Sequence, residues 1–288
     1  MDLNKIHFHI NDAQWQTFPE PKWGSLRWKE LLNLDRGNSK EFVFGFAELP
    51  SGGRLPFHTH RQAETDHLMS GEARVRLGSR SVEVGPSSAL YFPAGLPHSI
   101  ETLGSEAVLF IYTYACEKAG HPPDSKLVQE SEAAQVNILN KENITWATRR
   151  ESTRWAIREE IETWIPLELS KGLKARYRCF FGHEPGIPRE MMAGIAEIAP
   201  GIHYTLHDHE QPEIYYVLSG RGIIYVEDSG IEVSPGSSLY VGRRIAHGAD
   251  CTGEDSLRLY FIYGLETAGK EDTWTPLEDI YTEVRRQK

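Results

Sequence analysis

Three histidines and one glutamate occur twice in this chain at the same spacings. His58 and His60 stand one residue apart, Glu64 follows four further on, and His98 comes much later. His207, His209, Glu213 and His247 repeat the pattern at a constant offset of 149 residues. Imidazole nitrogens and a carboxylate oxygen ligate divalent transition metals, and four such donors leave coordination positions open for a substrate or for oxygen. Side chains at i and i+2 face the same side only in an extended strand. On such a strand each His-X-His pair can point together at one ion. Glu64 and Glu213 then sit on the next strand after a short turn, and His98 and His247 arrive from another.

The elements around these residues are themselves repeated. FGFAELPSGGRLPFHTHRQAETDHLMSG (44–71) lies without a gap over AGIAEIAPGIHYTLHDHEQPEIYYVLSG (193–220), and VGPSSALYFPAGLPH (84–98) lies over VSPGSSLYVGRRIAH (233–247). LFIY (109–112) is set over YFIY (260–263) by allowing a two-residue shift. Such self-similarity marks a tandem duplication. Short β-rich runs separated by Gly, Pro and Ser turns, with little helical periodicity, predict an all-β sandwich or barrel in each half. The expected organisation is an N-terminal arm and first barrel over 1–115, a polar linker with a short helix over 116–165, and a second barrel over 166–288.

These residues resemble the cupin superfamily. Its first motif, G(X)5HXH(X)3,4E(X)6G, is met by Gly52, His58, His60, Glu64 and Gly71, and again by Gly201, His207, His209, Glu213 and Gly220. The second motif, G(X)5PXG(X)2H(X)3N, is met less fully: Pro93, Gly95 and His98 are present but Ser87 replaces the leading glycine. The later copy keeps Gly236 and His247, with Gly242 and Arg244 at the Pro and Gly positions, and Thr102 and Cys251 stand where the Asn belongs. The resemblance implies an all-β fold of two tandem jelly-roll (cupin) β-barrels with short connecting helices. It also implies up to two divalent transition metals per chain, iron first, with manganese, nickel, cobalt or zinc as alternatives. Cupins with this ligand set include dioxygenases, decarboxylases, isomerases and lyases. A dioxygenase-type oxidoreductase acting on a small organic acid or aromatic diol leads, followed by a metal-assisted lyase, decarboxylase or isomerase. The third alternative is a non-catalytic cupin that binds a small molecule.

Alternation nominates further residues. Asp66 faces inward with Glu64, either as a general base or as a hydrogen-bond partner of a ligand histidine. Tyr215 occupies the matching place beside Glu213, to stabilise an oxyanion or to fill the barrel. His203 is expected inward with His207, and His67 and Tyr216 outward. Arg54, Tyr91, Tyr240, Arg243 and Arg244 fall near the mouths, where an arginine can hold a carboxylate or stay solvated. His7, His9, His121 and His183 belong to no pattern.

The whole-chain properties narrow the partners to a small-molecule substrate. With 41 acidic against 31 basic residues the net charge is -10, which disfavours nucleic acid and anionic membranes. The N-terminal stretch lacks a secretory signal and no run of about 18 apolar residues is present, so a cytoplasmic location is expected. Cys116, Cys179 and Cys251 are spaced for neither a disulfide framework nor a thiolate zinc site. Jelly-roll edge strands favour a homodimer or a covering arm, and the aromatic residues Trp15, Phe18, Trp23 and Trp28 suit an arm.

Overall fold

The computed structural model describes residues 5–33, 35, 39–115, 125–136, 155–158, 164–167, 175–181, 190–264 and 275–276. His121, His183, Cys116 and most of the linker lie outside them. Two compact units result: one from residues 12–161, the other from 1–11 and 162–288.

Each unit pairs a seven-stranded sheet with a five-stranded one. In the first, the larger sheet runs in the order Ala156–Arg158, Ser88–Phe92, Glu64–Ser70, Val108–Ala115, Phe42–Leu49, Arg27–Leu32 and Gln16–Thr17. The smaller runs Lys126–Leu127, Arg54–Thr59, His98–Leu103, Glu72–Leu77 and Arg80–Val84. Sequence-adjacent strands such as Arg54–Thr59 and Glu64–Ser70 lie in opposite sheets, which is the jelly-roll connection. Alternation drives the assembly: Phe42, Phe44, Phe46 and Phe92 are buried in the first unit. Val217, Ile224, Leu239 and Leu257 form part of the second unit's core. Among the described residues the α-helix is confined to Glu130–Ala133, and no helix is long and apolar enough to cross a membrane.

The repeat is deeper than its sequence identities. The strands Gln16–Thr17 and Arg27–Leu32 have counterparts in Ile165–Pro166 and Ala175–Phe181, and Lys126–Leu127 in Thr275–Pro276. The outermost strand at one edge of each larger sheet comes from outside the segment that repeats in sequence. His7–His9 pairs with Ser237, Ser238 and Leu239 of the second unit, and Ala156–Arg158 pairs with Ser88, Ala89 and Leu90 of the first. The beginning of the arm, expected with the first barrel, thus groups with the second. Local sequence marks a short strand but not which open edge will take its N–H and C=O groups.

Register also corrects the alignment of the last long strand. Val108–Ala115 pairs residue for residue with Phe42–Leu49, and Leu257–Gly264 pairs with Met191–Ile198, so no two-residue shift occurs. Tyr112 corresponds to Phe261 and Tyr114 to Tyr263. A slip of two keeps every side chain on its face, so the apolar pattern alone permits it; the hydrogen-bonded ladder does not. The incomplete second motif costs little geometry. Ser87 and Arg244 adopt φ of 64° and 55°, where the other repeat has Gly236 at 97° and Gly95 at 76°. The turn is retained at a strain of about 1–2 kcal/mol for each non-glycine residue.

Candidate metal centres

The ligands converge because register forces them to. His58 is the cross-strand partner of His98, and His207 of His247, with ring centroids 4.2 and 4.3 Å apart. His60 and His209 lie beyond the strand ends, and Glu64 and Glu213 begin the facing strands. Donor atoms of His58, His60, Glu64 and His98 all lie within 4.8 Å of one another, as do those of His207, His209 and His247. Glu213 Oε2 completes the second group, 3.3 Å from His209 Nε2 and 3.1 Å from His247 Nε2. All eight residues are buried.

The backbone sets the tautomer of every ring. Nδ1 of His58, His98, His207 and His247 lies 3.0, 3.0, 3.0 and 2.7 Å from the carbonyl two residues earlier. Nδ1 of His60 and His209 lies 2.7 and 2.8 Å from the carbonyl two residues later. A carbonyl only accepts, so each Nδ1 carries hydrogen and a neutral ring presents its Nε2 lone pair to the centre. Nε2 of His60 and of His98 stands 3.0 and 3.2 Å from Glu64 Oε2. Electron-pair donors from four side chains thus face one point, an arrangement that a shared cation relieves. The donor set suits a divalent metal at both centres.

Burial, reinforced by His98, lowers the His58 pKa to about 3, and burial with His247 lowers His207 to about 3. Both rings are neutral at pH 7, as a ligand must be. Burial pushes Glu64 and Glu213 up, but without a metal the hydrogen bonds that the flanking imidazoles donate from Nε2 outweigh it. Glu64 is held well below the usual carboxylate range and Glu213 at about 2.

Around the ligands the structure places Asp66 and Tyr215 as alternation predicts, both buried. The partner of Asp66 is Glu64, not a ligand histidine; burial first, then the Glu64 charge, raises its pKa well above the ordinary value. Burial first, then the Glu213 charge, raises the Tyr215 pKa well above the ordinary value. Tyr114, which the sequence reading did not single out, donates to Glu64 and sets its ring against His60 at 5.0 Å, as Tyr263 does against His209 at 4.9 Å. Alternation from Tyr112 to Tyr114 in the same strand was the available signal.

His203 does not face inward. A register shift between Tyr204 and His207 breaks the alternation, so Tyr204 takes the core position. His203 Nδ1 lies 2.6 Å from Asp250 Oδ1, and Asp250 Oδ2 accepts from the Tyr225 hydroxyl at 3.1 Å. His67 and Tyr216 are buried, in a packing role. Arg244 is engaged by Asp208 and Glu210 at 2.9 and 2.6 Å, Arg243 donates to the Glu210 carbonyl at 3.2 Å, and the Arg54 side chain is exposed. Of the arm aromatics, Trp23 reaches the first centre, 6.4 Å from His58 between ring centroids, with Phe18 stacked on it at 5.0 Å. Cys179 and Cys251 are reduced thiols, their Sγ atoms donating to the Phe181 and Asp255 carbonyls at 3.1 and 3.3 Å.

Comparison with known proteins agrees with this geometry. The cupin domain family matches residues 45–114 and again 194–263. A dimethylsulfoniopropionate lyase of Ruegeria pomeroyi is 35% identical over 98 residues, which is 34% of this chain and 62% of the lyase. The chain thus spans less than two thirds of that relative's length. An uncharacterized protein of Methanocaldococcus jannaschii is 32% identical over 78 residues, 26% of this chain and 62% of its own. Among solved structures, Bacillus subtilis oxalate decarboxylase at pH 4.6 is similar with a TM-score of 0.68 at 18% identity, covering 98% of this chain and 83% of its own. The formate complex of Lactobacillus farciminis oxalate decarboxylase gives 0.68 at 17% identity, covering 94% and 88%. At such identity the structural likeness speaks for the fold alone. Two cupin domains in tandem, each with its own three histidines and glutamate, place this chain in the cupin superfamily as a bicupin.

Proposed function

We propose that the chain is a metal-dependent enzyme that breaks a bond in a small organic acid by moving a proton, a lyase or decarboxylase. The observation that carries this reading is the buried ionisable side chain two residues after each metal-ligand glutamate: Asp66 on the strand of Glu64, and Tyr215 on the strand of Glu213. A divalent metal held by His58, His60, Glu64 and His98, or by His207, His209, Glu213 and His247, supplies Lewis-acid stabilisation of a bound carboxylate. The protein's own residues then handle the proton. In an elimination Asp66, or Tyr215 in the second barrel, takes as its conjugate base a proton from the carbon beside the carboxylate, while the bond to the leaving group breaks and that group departs with the electron pair. In a decarboxylation the C–C bond breaks, carbon dioxide leaves, and the same group in its acid form protonates the carbon left behind. Burial of the ligands and these groups excludes bulk water from the reacting atoms.

The lyase name of the Ruegeria relative supports the reaction class, and its substrate belongs in the first panel tested. The dioxygenase alternative rests on open coordination positions, which a lyase uses as well. Iron is the first metal to try, then manganese, nickel, cobalt and zinc. The test is turnover of a panel containing dimethylsulfoniopropionate, oxalate and 2-hydroxy acids by reconstituted protein, with products and dissolved oxygen followed together. The expected result is product without oxygen uptake, reduced roughly 100-fold by Asp66→Asn or Tyr215→Phe in the barrel concerned. Stoichiometric oxygen consumption, or turnover indifferent to both substitutions, would overturn the proposal.

A further inference from the structure

The two centres share a ligand set, yet the row of residues beneath it differs. In the first barrel, register sets Glu30 opposite Gly45, Gly45 opposite Tyr112, Tyr112 opposite Asp66 and Asp66 opposite Leu90. Directly paired residues share one sheet face, and Asp66 shares the face of Glu64. Gly45 keeps the row open, since a Cβ there would lie 2.7 Å from the Tyr112 hydroxyl oxygen. The second barrel's row reads Cys179, Gly194, Phe261, Tyr215 and Leu239. Glu30, Tyr112 and Asp66 stand where the second barrel has a thiol, a phenyl ring and a phenol.

One atom in the first row is unsatisfied. Asp66 is 4% exposed, and its Oδ1 is buried without a hydrogen-bond partner. A carboxylate accepts at both oxygens and a neutral carboxyl at its carbonyl oxygen, so Asp66 offers an acceptor in either state. No lysine or arginine is among the buried residues described. A buried acceptor left unpaired costs about 1–3 kcal/mol, which a donor on a ligand would offset.

We infer that the first barrel carries a subsite for a hydrogen-bond donor, a hydroxyl or ammonium group on a metal-bound acid, built from Asp66, Tyr112 and Glu30, and that the second barrel lacks it. The inference rests on the proposal that organic acids bind at the metal, but it requires no turnover. It is tested by calorimetric titration of the metal-loaded whole chain carrying His207→Ala, with metal counted by plasma mass spectrometry. The probes are 3-hydroxypropionate, β-alanine and butyrate, which have equal numbers of heavy atoms and differ in the terminal group.

At least one of the two donors should bind about tenfold or more tightly than butyrate. Preference for β-alanine alone assigns the group as ammonium, and for 3-hydroxypropionate alone as hydroxyl. Asp66→Leu should abolish the preference while metal content holds, and the reciprocal His58→Ala chain should show none. Should Asp66→Leu lose its metal or its fold, Tyr112→Phe decides, with the preference falling at least threefold. Butyrate binding as tightly as both donors, or no probe binding a metal-loaded first barrel, overturns the subsite. Failure of catalysis in the turnover panel, with the preference intact, would instead refute only the lyase reading.

Discussion

His207 makes the second barrel acid-sensitive when it holds no metal, by an amount that can be worked out. Burial, with His247 beside it, keeps the folded pKa at about 3, against an ordinary value of 6.5. The unfolded chain therefore binds more protons between those values, and stability must rise with pH in that window and fall on acidification. Above pH 6.5 the group contributes no slope. At pH 5 the loss from His207 alone is about 2 kcal/mol, a difference of one and a half pH units at roughly 1.4 kcal/mol each. For a unit of this size that lowers Tm by about 4–8 °C. Glu213 does not confuse the measurement. Its pKa is depressed from 4.5 to about 2, so its contribution is present above 4.5 and is lost only as pH falls towards 2. The first barrel is less clean, because the raised Asp66 works against the lowered His58 there. The assay is thermal melting of chelator-treated protein between about pH 7.5 and 5, for the parent and for His207→Gln. The variant should lose about 2 kcal/mol of the parent's acid sensitivity. Equal pH dependence in both would refute the claim that a neutral, buried His207 is built into the empty site.

Other consequences follow from the same geometry. The parent should bind two metal equivalents, with His58→Ala and His207→Ala each losing one, read by plasma mass spectrometry on untagged protein. Tyr114→Phe removes a hydroxyl that donates to Glu64 and should weaken metal binding in the first barrel by about tenfold, measured by chelator competition. Gly45→Ala would bring a Cβ to 2.1 Å from the Lys29 carbonyl oxygen and 2.7 Å from the Tyr112 hydroxyl. It should destabilise the first unit by about 1–3 kcal/mol or more in denaturant melts, leaving metal at the second centre unchanged.

What the sequence determined by itself is the chemistry and its duplication. His-X-His followed by a glutamate and a distant histidine can converge when extended backbone carries them, and the constant offset of 149 residues makes one convergence imply the other. Alternation also brought Asp66 and Tyr215 to the ligand face, because within an unbroken strand facing is a local property. The tertiary structure decided what depends on a neighbour. The shift between Tyr204 and His207 turned His203 away from the cavity, and no residue type announces it. Whether Tyr112 matches Phe261 depends on the ladder with Phe42–Leu49 and Met191–Ile198, since a slip of two preserves every facing. His7–His9 found its edge beside Ser237–Val241, and Ala156–Arg158 found its edge beside Ser88–Phe92. A strand's pattern states which face is apolar, whereas pairing is decided by whichever backbone groups lie unsatisfied beside it once the barrels have closed.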